Sequence, residues 1–215
     1  MKATLSMDNN ASHETIGGPS FVPWALMVEG FLIVVAVVLG RALDQPPLSA
    51  FDFSIEAAVW GVAATVPMLL LLLLIRAVPW RPLVELRQVV DRQVTPLFAG
   101  WSVWDMASLA LVAGVSEEML FRGVIQDAIA TIAGPLVAIV IASTVFGMLH
   151  AITPGYAVVA AVLGLWLGVV YFHTENLLAA MSAHALYDFL ALVLLLRNAG
   201  RGQRLEEEPE LPGSR

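Results

Sequence analysis

The chain has 215 residues, enough for one domain of ordinary size, yet 59% of them are apolar and only 13% charged, with a mean hydropathy of +0.80. So few polar groups cannot cover a core in water, which excludes an ordinary soluble domain and makes the lipid bilayer the expected solvent. Cysteine is absent, removing disulfides, thiolate metal sites and cysteine nucleophiles together, and the net charge of −7 comes without a basic stripe for nucleic acid.

In chain order, residues 1–20 are polar and punctuated by Gly and Pro, as expected of an N-terminal tail. They do not read as a secretory signal: Lys2 is followed by Asp8, and the next apolar run is too long for a signal core. Six apolar segments follow at about 21–40, 56–76, 104–131, 134–151, 156–173 and 177–197, each near the length of a membrane span. The third is the least hydrophobic, because Asp105, Glu117, Glu118, Arg122 and Asp127 interrupt it. Between the second and third, residues 81–98 place Leu83, Leu86, Val90 and Val94 at helical spacing among charges, which predicts an interfacial helix. Residues 199–215 read as an acidic, Pro-containing tail. The expected fold is thus all-α: a polytopic membrane helix bundle over 21–198, with about six transmembrane helices plus one interfacial helix.

Orientation follows from the cations. Arg76, Arg81, Arg87 and Arg92 follow segment two, Arg197, Arg201 and Arg204 follow segment six, and Lys2 lies in the N-terminal tail. Placing both termini and the 77–103 loop in the cytoplasm puts nearly every basic residue inside, with Arg41 alone outside, as the positive-inside rule requires. Trp80, Trp101 and Trp104 then bracket the inner boundary and Trp60 the outer one. A bacterial inner membrane is the expected location.

Ionisable side chains at bilayer depth cost about 2.5–3.5 kcal/mol each on insertion scales unless paired or hydrated, so those present demand a reason. Glu118 and Arg122 stand one helical turn apart and can form an ion pair. Glu117 is rotated by about 100° and faces another neighbour. An unpaired buried carboxylate takes a proton readily, which is what a general base requires; the alternative is that both glutamates pair with Arg122. Phe146 and His150 are one turn apart on the fourth segment, and His184 and Asp188 on the sixth. Polar groups on three helices of so apolar a chain imply a shared cavity between them. Its inventory suits activation of water by a glutamate and a histidine, with a second imidazole steadying an oxyanion. It suits equally a single divalent metal held by His150, His184 and a carboxylate, which leaves the cofactor undecided.

Glu117-Glu118-x-x-x-Arg122, Phe146-x-x-x-His150 and His184-x-x-x-Asp188, in that order on successive helices, resemble the three motifs of the CPBP family. That family comprises CAAX prenyl endopeptidases and bacteriocin-processing or Abi proteins, intramembrane proteases, and the resemblance covers about 100–197, with the motifs within 104–197. It implies an intramembrane endopeptidase acting on a membrane-associated, CAAX-type or other, peptide substrate. Glu117 would activate water with His150 as its partner; His184 and Asp188 would belong to the oxyanion hole; Glu118 and Arg122, with Phe146, would order the site. The family's last motif often ends in Asn, whereas this chain has Asp188. An ionised Asp cannot donate to an oxyanion, so Asp188 is protonated, orients His184 or binds metal. Members are often labelled metalloproteases, and zinc is the metal that label implies, but no HExxH helix is present here.

The bilayer and a peptide or protein substrate are the partners this reading implies; nucleic acid is not among them, and oligomeric state is left open. Two other classes compete: a non-catalytic membrane immunity or interaction protein on the same scaffold, and a small proton-coupled carrier, which the lack of an internal repeat disfavours. The remaining residues take structural readings. His13 falls in the tail, His173 and Glu175 in a short outer turn, and Glu29 and Asp105 at boundaries, while Gly164 and Gly168 favour close helix packing. At helical rise Glu117 lies about 20 Å from the inner end of its segment and His184 at a similar depth. Bringing His150 to that level requires the 151–156 connection to be sunk within the protein, in a cavity wetted from the cytoplasm.

Overall fold

The computed structural model describes residues 18–207, with side chains through Asn198. Most of the expected N-terminal tail, with Lys2 and His13, and the last part of the acidic tail lie outside the described residues, as do the side chains of Arg201 and Arg204. Eight α-helices account for nearly everything else: α1 (Val22–Ala42), α2 (Ile55–Ala77), α3 (Arg81–Val89), α4 (Val103–Leu120), α5 (Asp127–Ala133), α6 (Pro135–Leu149), α7 (Pro154–Thr174) and α8 (Leu177–Glu207). Among the described residues there is no strand. The protein is an all-helical integral membrane bundle.

Helices lie on all six apolar segments; among the described residues four are by themselves long and apolar enough to cross a membrane (α1 with its short 3-10 lead, α2, α7 and the first part of α8), and a fifth if Arg81–Phe98 and Val103–Ala133 form one bent span. The other two depart from the six-span expectation for physical reasons. A π-helical segment, Phe121–Gln126, joins α4 and α5, and the buried charges it adjoins lower their apolarity. Helix α6 has 15 residues, about 22 Å at helical rise, which falls short of a hydrocarbon core of about 30 Å. The 81–98 stretch is helical as expected and turns by 110° relative to Val103–Ala133, with Leu86 buried and Arg81, Glu85 and Asp91 exposed.

Chain ends and turns gather into two groups. At one end Gly18 donates to Leu97 O, Trp101 Nε1 donates to Gly18 O, and Arg76 pairs with Asp91 at 3.3 Å. Trp101 is therefore buried, unlike exposed Trp80 and Trp104, and does not mark the surface boundary expected of it. At the other end Leu177 N donates to Ala50 O, and buried Asn176 exchanges two hydrogen bonds with the Asp52 backbone. Helix α4 starts from a capping box, Ser102 and Asp105 each accepting from the other's backbone N–H.

Helices α4 and α8 approach closely where Gly114 faces Ala185: a Cβ on Gly114 would lie 2.8 Å from both the Ala185 nitrogen and its Cβ. One turn beyond that contact stand the two glutamates on α4, opposite His184 on α8. Close backbone approach through small residues is the packing mode open to helices in lipid, and here it sets the spacing across the site.

Candidate active site

Ionisable groups from several helices converge on one cavity of about 290 Å³. Its walls are mostly aliphatic, and its polar groups include Glu29 of α1, Glu117 of α4, His150 at the end of α6, and His184 and Asp188 of α8. All seven residues singled out from the sequence come together around it.

Glu118 and Arg122 form the expected ion pair, with Nη1 at 2.7 Å from Oε1 and both side chains fully buried. The second arm of the guanidinium, Nη2, donates to the Gly164 carbonyl at 2.6 Å. One turn on, Gln126 Nε2 donates to the Gly168 carbonyl at 3.3 Å. The Gly164–Gly168 pair thus packs closely, as expected, and also exposes two carbonyls that side chains of the π segment reach. A widened turn that re-aims side chains is a common use of π geometry.

His184 Nδ1 lies 2.7 Å from the same Glu118 Oε1. A carboxylate oxygen already held by Arg122 can only accept, so Nδ1 carries the hydrogen and the other ring nitrogen, Nε2, is turned toward the cavity. There it stands 3.4 Å from Asp188 Oδ2 and 3.9 Å from Glu117 Oε2. The orienting partner of His184 is therefore Glu118; Asp188 meets the opposite, cavity-facing nitrogen. His150 repeats the arrangement. Its Nδ1 donates to the Phe146 carbonyl at 2.8 Å, and its Nε2 stands 3.7 Å from Glu117 Oε2. Phe146 stacks against the His150 ring at 4.3 Å and meets the His184 ring edge-on at 6.0 Å, while the Arg122 guanidinium lies 5.1 Å from its centroid.

Glu117 is the carboxylate without an intrahelical partner, not a second ligand of Arg122. Its side chain is 8% exposed, and Oε2 is buried with no hydrogen-bond partner, facing both imidazoles from just beyond hydrogen-bonding range. A small polar molecule seated among these three groups could bond to all of them. Among the described residues no three His, Asp or Glu side chains are arranged to hold a metal ion, so the metal-site reading finds no support in the donor geometry.

Two expectations are corrected. The 151–156 connection is not enclosed: Ala151, Ile152, Pro154 and Gly155 are exposed. It needs no burial, because Ile152 N bonds to His150 O, and Thr153 caps α7 by accepting from Tyr156 N. His150 nevertheless reaches the level of Glu117, fourteen residues into α4, because α6 is short. Glu29 is not a boundary residue either. It lines the cavity, with Oε2 buried and unpartnered. Sequence reasoning also passed over Tyr156 and Tyr187, which line the same space. The available signals were position: Tyr187 adjoins Asp188, Tyr156 opens the helix after His150, and Glu29 is the one acidic residue of α1.

Among known proteins, residues 99–190 match the model of one family, described as type II CAAX prenyl endopeptidase Rce1-like. It is the family the three motifs resemble. No curated protein and no solved structure matches the chain. The Rce1-like segment runs from the start of α4 into α8 and contains all seven motif residues, while Glu29 lies outside it. Over that segment the chain is similar to a family of CAAX-type membrane endopeptidases.

Proposed function

We propose that this site hydrolyses a peptide bond in a membrane-associated substrate, using Glu117 and His150 to activate water. The observation that carries the reading is Glu117 Oε2, buried and unpartnered, set 3.7 and 3.9 Å from the Nε2 atoms of two histidines whose Nδ1 atoms are already engaged. A water between Glu117 and His150 loses a proton to this pair as its oxygen adds to the scissile carbonyl carbon. The carbonyl oxygen becomes an oxyanion, which His184 stabilises by donating from Nε2 once that nitrogen is protonated. Asp188, at 3.4 Å, favours that cationic ring, so the residue standing where relatives often carry Asn acts through His184. Collapse breaks the C–N bond, and the proton held by Glu117 passes to the leaving nitrogen. Glu118, Arg122 and Phe146 hold the two imidazoles in place.

The substrate is a peptide or protein in or on the bilayer, of the CAAX type or another apolar tail, and the aliphatic cavity walls favour such a segment. With both termini in the cytoplasm, the cavity end bearing Arg76 and Arg87 faces that side. The test is cleavage of membrane-anchored peptides, prenylated and not, by the purified chain reconstituted in lipid. Glu117→Ala and His150→Ala are each expected to lower kcat by about 10²–10⁴-fold, the range for losing a general base. Unchanged cleavage in both variants would overturn the mechanism. Activity lost to a chelator and restored by zinc would require a metal that this mechanism does not use.

A further inference from the structure

The mechanism above leaves one carboxylate of the cavity, on half-buried Glu29, without work. Glu29 lies a third of the way along α1, flanked by Met27, Val28 and Phe31, which face outward. Its own side chain turns inward, into the wall shared with Glu117, His150, His184 and Asp188. Among the described residues its Oε2 is buried yet accepts no hydrogen bond, and the group has no ion-pair partner. A polar atom in that position costs free energy that nothing within the chain returns. Glu117 Oε2, more than nine-tenths buried with its side chain, is in the same condition and faces the same space.

The charge balance around the cavity gives the sign of what is missing. Three carboxylates, from Glu29, Glu117 and Asp188, line it, against two guanidinium groups, from Arg76 and Arg87. Arg76 is paired with Asp91, and Arg87 donates to the Arg76 carbonyl. Arg122 is bound by Glu118 and the Gly164 carbonyl. The cations are thus engaged within the chain, whereas two acceptor oxygens stand open. The group that completes them is a donor brought by the ligand, and a cation meets a carboxylate in a low-dielectric wall more strongly than a neutral donor does.

We propose that Glu29 is a specificity-determining residue: its carboxylate receives a basic side chain of the peptide substrate, near the bond to be cut. This rests on the reading of the cavity as a peptide site, and it adds to that reading a substrate class, apolar segments carrying one lysine or arginine. It also gives α1, which the family match omits, a part in the site.

The test measures binding, so that it stands apart from turnover. Fluorescent Leu/Ala peptides, in which a single lysine is moved through successive positions, are titrated against the full-length Glu117→Gln variant in nanodiscs. The matching peptides with uncharged norleucine serve as controls. Tighter binding of the lysine peptide, by about tenfold at one position, is expected with Glu29 present. In the added Glu29→Gln background the preference falls below about twofold, and with Glu29→Lys it shifts to a glutamate peptide. Glu29→Asp keeps the preference in weaker form and serves if the glutamine variant does not fold. No lysine preference at any position, or one that survives Glu29→Gln intact, overturns the proposal. Absence of cleavage by the unmodified chain, with the lysine preference present, overturns the hydrolytic reading alone.

Discussion

Glu118 Oε1 takes a guanidinium hydrogen from Arg122 and an imidazole hydrogen from His184 at 2.7 Å each, in a place closed to solvent. Removing one member of such a buried set leaves the others charged or donating without an acceptor, a loss of about 3–5 kcal/mol. Glu118→Gln is therefore expected to lower thermal stability as well as activity, while Glu117→Gln, at an oxygen that has no partner to lose, lowers activity with the melting temperature nearly unchanged. Thermal unfolding of both variants in one detergent checks the contrast; equal losses of stability would refute this division of labour. Arg122→Lys is expected to behave like Glu118→Gln, since one ammonium cannot reproduce the fork that reaches both Glu118 and the Gly164 carbonyl. At this scale the one-turn pair Glu118–Arg122 was legible in the sequence because a helix fixes what lies four residues away. The partner of His184 Nδ1 was not: Glu118 is 66 positions distant, and only the packing of α4 on α8 brings it there.

That packing depends on the contact at Gly114, which admits Ala185 of α8 so closely that a Cβ there has no room. Backbone and a methyl group occupy the space, not the end of a flexible side chain, so the helices must part. Gly114→Val is expected to destabilise the bundle by about 1–3 kcal/mol, the usual cost of overpacking. It should also reduce cleavage by more than a comparable change at exposed Leu111, since parting α4 from α8 draws Glu117 away from His184. Paired measurements of melting temperature and kcat on Gly114→Val and Leu111→Val test this. The positions of the helices were legible because apolar runs of span length have few alternatives in lipid. The π segment after Leu120 was not, since it answers to acceptors on α7 that no local pattern announces. The exposed 151–153 turn was mistaken for the same reason. His150 does stand beside Glu117, but Thr153 and the His150 carbonyl satisfy a turn that had been expected to seek protein walls.

For the whole molecule, the two clusters of turns define opposite ends of the bundle, and the sides we propose for them rest on the cation distribution. Gly18, Arg76, Arg87, Asp91, Leu97 and Trp101 meet at one end; Ala50, Asp52 and Asn176 meet at the other. This grouping agrees with the alternation deduced from charge, in which residues 77–103 lie with the N-terminal segment on the cytoplasmic side and residues 43–54 lie opposite. The absence of native cysteine makes the arrangement directly measurable, because any single introduced thiol reports without background. Gln93 and Ser49 are exposed and belong to the two opposite ends. With a membrane-impermeant maleimide, Gln93→Cys is expected to label in inverted vesicles and stay protected in right-side-out ones, and Ser49→Cys to do the reverse. Labelling of both on one side would contradict the alternation of helices, and a clean inversion would place the cavity's arginine-bearing mouth away from the cytoplasm. The second outcome would leave the chemistry of Glu117 and His150 untouched while changing which side of the membrane supplies the substrate, so orientation and mechanism can be tested separately.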